Sequence, residues 1–93
     1  MLTVVSYDIV DDRRRTKVRK ILEGYGVRVQ YSVFECTLDA TAFGKAQQAV
    51  LVQIDPLVDS VRWYRLDQAA VQRTVIQGLG QITRDPAYYL VGR

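Results

Sequence analysis

A chain of 93 residues makes one domain, and 48% hydrophobic with 25% charged residues is ordinary globular composition. The formal charge is +3, from 13 basic and 10 acidic residues, with no histidine and a lone cysteine, Cys36. This excludes an internal disulfide, histidine-built zinc sites and Ser-His-Asp triads, and leaves any catalysis to carboxylates, Tyr, Lys, Arg or a metal-bound water.

Leu2 to Ile9 is rich in β-branched and aromatic residues and reads as a strand. Leu2, Val4, Ser6 and Asp8 share one face; Thr3, Val5, Tyr7 and Ile9 share the other. Asp11 or Asp12 is a good N-cap for a helix running to about Tyr25. Val18, Ile21, Leu22 and Tyr25 fall at helical spacing on its buried stripe, and Gly24 and Gly26 supply the stop. Val27 to Leu38 is a second strand region, long enough to require a bend, a bulge or a division into two strands. Asp39 or Thr41 caps a second helix with the stripe Phe43, Ala46, Val50 and Ile54, ended by Asp55-Pro56. Ser60 to Leu66 reads as a strand, Thr74 to Gln77 as a short one before Gly78, and Tyr88 to Val91 as a last one after Pro86. With the second region divided, the expected fold is an α+β, ferredoxin-like β-α-β-β-α-β plait with an extra C-terminal strand. No stretch approaches the ~18 apolar residues of a membrane span, and no leader pattern opens the chain. The expected setting is the cytoplasm, with no membrane partner.

Asp8 closes an otherwise apolar strand, and it is either a turn or capping residue or a metal ligand. One carboxylate is too few for a protein-only cage, but magnesium keeps several waters and commonly takes one or two carboxylates. A two-fold dimer brings a residue near its axis against its own copy. Two Asp8 carboxylates about 5 Å apart repel by roughly 3 kcal/mol at an effective dielectric of about 20, so a proton or a cation must offset them. One Mg2+ shared between the two copies could activate a water towards a phosphodiester.

Arg13, Arg14, Arg15, Lys17, Arg19 and Lys20 form a dense basic run, either a solvated helix face or a surface that neutralises phosphates without reading bases. Arg28, on the next strand, is placed to join them. Tyr7 and Phe34 are either core rings or platforms for a base. Cys36 reads as a small core residue. The remaining carboxylates, Asp59 and Asp67 among them, show no ligand spacing that singles them out.

Tyr7-Asp8-Ile9 followed by Asp11-Asp12 and an Arg/Lys-rich helix ending at Gly26 resembles the opening of the CRISPR-associated Cas2 family. Arg28-Val29-Gln30-Tyr31-Ser32-Val33-Phe34-Glu35 resembles its second block, and Val75-Ile76-Gln77-Gly78 its fourth-strand ending. The resemblance implies a ferredoxin-like homodimer that works in spacer acquisition, bound to the Cas1 integrase and to DNA or single-stranded RNA. Family members are described as metal-dependent nucleases whose first-strand aspartate, here Asp8, binds magnesium at the dimer interface. Tyr7, Arg15, Lys17, Arg28 and Phe34 match further positions used for activity. Lys17 stands where some relatives have Arg, which keeps the charge and loses the bidentate fork. Three functions compete: a non-catalytic DNA-binding adapter, a magnesium-dependent endonuclease acting through Asp8, and a toxin-type endoribonuclease of similar fold.

Overall fold

The computed structural model describes residues 1–83. Its elements run β1 (Leu2–Asp8), α1 (Asp12–Glu23), β2 (Gly26–Gln30), β3 (Val33–Thr37), α2 (Ala40–Gln53), β4 (Ser60–Leu66) and α3 (Gln68–Arg73). The sheet order is β2-β3-β1-β4, and every neighbouring pair is antiparallel. This is the ferredoxin-like plait, followed by a short third helix.

Alternation along β1 decides which side the helices cover. Val5, Tyr7, Phe34 and Cys36 pack into one buried cluster with Val18 and Leu22 of α1 and Ala46 and Val50 of α2. Val4, Ser6 and Asp8 fall on the other face, as successive strand residues must. Asp11 caps α1 by accepting the Arg14 N–H at 2.9 Å, and Asp39, of the two residues offered for α2, accepts Ala42 N–H at 2.8 Å.

The long second strand region divides into a hairpin, with a register shift between Arg28 and Gln30. Gly24 caps α1 with ordinary helical dihedrals. Gly26 has a different task. A Cβ there would fall against Glu35 O and within 2.6 Å of Cys36 Sγ, so only glycine lets β2 lie this close to β3.

Two expectations need correction at the C-terminal end. Asp67, unassigned from sequence, caps α3 by accepting Ala70 N–H at 2.8 Å. The strand expected at Thr74–Gln77 is absent, so the extra C-terminal strand has no support among the described residues. Val75 and Ile76 have strand propensity, but a strand exists only beside a ladder partner. Here α3 carries the chain off the β4 edge and leaves Val75 80% exposed. The strand expected at Tyr88–Val91 lies outside the described residues. No helix among those described is long and apolar enough to cross a membrane.

Candidate nucleic-acid interface

The carboxyl end of β1 places Tyr7 and Asp8 on opposite sides of the sheet. Asp8 is exposed, opposite Ser60 of β4. Tyr7 is buried and stacks on Phe34 with ring centroids 6.3 Å apart. Phe34 is 0% exposed, so both rings belong to the core, and Phe34 reaches any ligand only through Tyr7. Burial raises the Tyr7 hydroxyl above its ordinary pKa of 10.0, against the opposing pull of the Arg28, Arg19 and Arg15 charges.

The basic run divides by partner. Arg13, Lys17 and Lys20 are exposed and make no ion pair among the described residues. Arg14 turns back to Asp59, with Nε donating to Oδ2 at 2.8 Å and Nη2 to Oδ1 at 3.2 Å. Arg15 donates to Ile9 O at 3.0 Å and pairs with Asp12. Arg19 reaches Glu23 one turn on, at 3.0 Å. Arg28 comes from β2, where its Nε donates to Tyr31 O at 3.0 Å and its guanidinium lies 5.0 Å from the Tyr31 ring centroid.

The run therefore serves two purposes that its spacing alone does not separate. Arg14 ties α1 to Asp59, while Arg13, Lys17 and Lys20 are exposed. Asp59 is the residue sequence reasoning missed. Its side chain is fully buried, and it also accepts Val10 N–H at 3.2 Å and Asp55 N–H at 2.9 Å. The Arg14 hydrogen bond, aided by these backbone donors, lowers its pKa from 3.8 to about 2. Only a conspicuous carboxylate inside the apolar stretch Leu57 to Val61 hinted at this role.

Among the described residues no group of three or more carboxylates or cysteines gathers to hold a metal. Asp8 stands as one accessible carboxylate. That is a permissible share of a magnesium shell and not a site complete in one chain. It fits the shared arrangement, in which a second copy supplies the matching carboxylate. Cys36 is fully buried, and burial raises its thiol from 9.0 to about 11, which keeps it protonated and inert.

Residues 1–74 match the family model described as CRISPR associated protein Cas2. The chain is 62% identical over 91 residues to a CRISPR-associated endoribonuclease Cas2 of Chloroflexus aurantiacus, covering 98% of each. It superposes on the crystal structure of Streptococcus pyogenes Cas2 with a TM-score of 0.74 and 32% identity, covering 84% of this chain and 100% of that one. It also matches a chain of a partial Cas6-RT-Cas1–Cas2 complex, with a TM-score of 0.67 and 25% identity, covering 81% of this chain and 88% of that one.

Proposed function

The chain belongs to the CRISPR-associated Cas2 family, and from that premise we propose that it serves in spacer acquisition as a homodimer holding DNA beside the Cas1 integrase. The observation that carries this reading is the exposed cationic row Arg13, Lys17 and Lys20 on α1, which makes no ion pair among the described residues. Unpaired cations on one helix neutralise a phosphate backbone without reading bases. That suits a protein that must accept duplexes of any sequence. The partner assignment draws on the similarity to a chain of a Cas1–Cas2 assembly.

Duplex binding measured against salt tests it. Replacing Arg13, Lys17 and Lys20 with alanine should lower the slope of log K against log salt by roughly 0.9 for each phosphate that is no longer neutralised. An unchanged slope would remove the row from the interface. Integration reconstituted with Cas1 should fall in step with duplex affinity.

A second reading, phosphodiester hydrolysis on RNA or DNA, is favoured by the exposed position of Asp8 and by the endoribonuclease name of a close relative. Asp8 and its symmetry copy would hold one Mg2+. When bound, the ion would polarise a phosphoryl oxygen and lower the pKa of a bound water. Lys17 and Arg13 would keep the strand against the protein by charge. Cleavage that disappears both in Asp8→Ala and on chelation, in a variant that still dimerises, is the expected result. Equal cleavage by the variant, or none by either protein, would leave the adapter as the working function.

A further inference from the structure

Strand register places a cation beside Asp8. Asp8 faces Ser60 directly across the β1–β4 ladder, and Arg62 of β4 faces Ser6. Ser6 and Asp8 share one face of β1, so Arg62 is the diagonal neighbour of Asp8 on that face. Such neighbours stand roughly 7–8 Å apart, within reach of a long side chain. Both residues are exposed. Among the described residues Arg62 makes no ion pair, and its side chain is drawn to Tyr64 of its own strand.

The other strand arginines are committed to the helix side of the sheet. Arg28 lies against Tyr31 and lines a cleft with Arg15 and Arg19 of α1. Arg65 packs against α2, its guanidinium 4.1 Å from the Phe43 ring centroid and its Nη2 donating to Leu38 O at 3.0 Å. Among the described strands, that leaves Arg62 as the one arginine on the open face. Glu35 of β3 also lies on this face, opposite Val4, but β1 separates it from Arg62, and it accepts Thr83 N–H at 2.7 Å.

A two-fold pairing of this face brings two Asp8 carboxylates and two Arg62 guanidiniums into one interface. Those four charges sum to zero. A guanidinium presents its N–H donors in a fork that matches a carboxylate. It is also fixed in the strand, whereas a magnesium ion must be captured from solution and gives up its waters reluctantly. We propose that Arg62 from each copy supplies the positive charge that the Asp8 pair needs in the homodimer, so that the interface closes without a divalent cation. The inference rests on the homodimer reading above and gives to Arg62 the charge-balancing role that a shared Mg2+ would otherwise fill.

Sedimentation equilibrium of the full chain, in EDTA and in Mg2+, tests it. The wild type should dimerise equally in both. Arg62→Gln should raise the dimer Kd in EDTA on the order of a hundredfold, from the repulsion of two bare carboxylates about 5 Å apart at an effective dielectric of about 20. Mg2+ should restore that dimer, because the ion then balances the carboxylates. Asp8→Asn should also weaken the dimer, without rescue by Mg2+, since two guanidiniums then lack their counter-charge. Removing both charges, in Asp8→Asn with Arg62→Gln, should recover a tight dimer in EDTA, which loss of a merely structural arginine would not do. Circular dichroism confirms that these surface variants fold. A wild type that needs Mg2+ to dimerise overturns the inference. So does an Arg62→Gln dimer as tight as the wild type in EDTA, or a double variant no tighter than Arg62→Gln, and each of these leaves the homodimer standing. A wild type that is monomeric in both buffers overturns the homodimer reading and this inference with it.

Discussion

Asp59 joins three segments through one carboxylate: the loop after β1 at Val10, the first turn of α1 at Arg14, and the α2–β4 connection at Asp55. Those segments surround the end of β1 where Asp8 sits. Asp59→Asn keeps the shape but removes the charge that Arg14 faces. Thermal unfolding should shift to lower temperature, since the charged hydrogen bonds from Arg14 and the backbone bonds from Val10 and Asp55 lose their ionised acceptor, while the 30% exposed Arg14 side chain is partly solvated in its place. The pH dependence has a defined sign. A carboxyl whose pKa falls from 3.8 to about 2 on folding contributes fully above 3.8 and loses that contribution as pH falls through 2. Acid titration should therefore show a stability loss in that window for the wild type that is absent in Asp59→Asn. The residue scale was also where sequence was least legible. Arg14 and Asp59 are 45 positions apart, and nothing in local spacing ties an arginine in a basic run to a carboxylate in the next half of the chain. Asp8 was legible because it breaks a strand pattern in place.

Elements were legible where a period was long enough to repeat. The stripe Val18-Ile21-Leu22-Tyr25 and the alternation of β1 each report a face, and α1, α2, β1 and β4 lie where those patterns put them. The helix α3 was missed because six residues give less than two turns, too short for a stripe. Thr74–Gln77 misled for the opposite reason, having propensity without a partner. The hairpin offers the sharpest test at this scale. Gly26→Ala sets a methyl against the Glu35 carbonyl and the Cys36 sulfur, and the Glu35 backbone cannot rotate away. It should destabilise by about 1–3 kcal/mol, as overpacking does, measured by urea unfolding. A neutral result would mean that β2 can part from β3 at little cost.

At the scale of the molecule, the plait followed from element order once the second strand region was divided, because short antiparallel connections leave few topologies. The placing of Arg62 beside Asp8 did not follow, since it needs the register of β1 against β4. The face of the sheet away from the helices carries Asp8, Arg62 and Tyr64 in exposed positions. Under the homodimer reading this face meets its copy. Tyr64→Lys would then place like charges across the interface, and sedimentation should shift from twice the chain mass to the monomer. A variant that sediments like the wild type would move the interface elsewhere.

The central position of β1 sets the order in which a growing chain can fold. Its Leu2 pairs with Thr37 on one side and with Leu66 on the other, so the first strand synthesised waits for the last of the described strands. The β2–β3 hairpin and α1 depend on near neighbours and can form early, whereas closing β1 against β4 spans most of the domain. Until Asp59 leaves the ribosome, Arg14 lacks the carboxylate that its guanidinium holds in the folded chain and adds its charge to the exposed Arg13, Lys17 and Lys20 of the same helix. On a ribosome, surrounded by ribosomal RNA, that interval is when the nascent chain is most exposed to the wrong polyanion, and the arrival of β4 ends it.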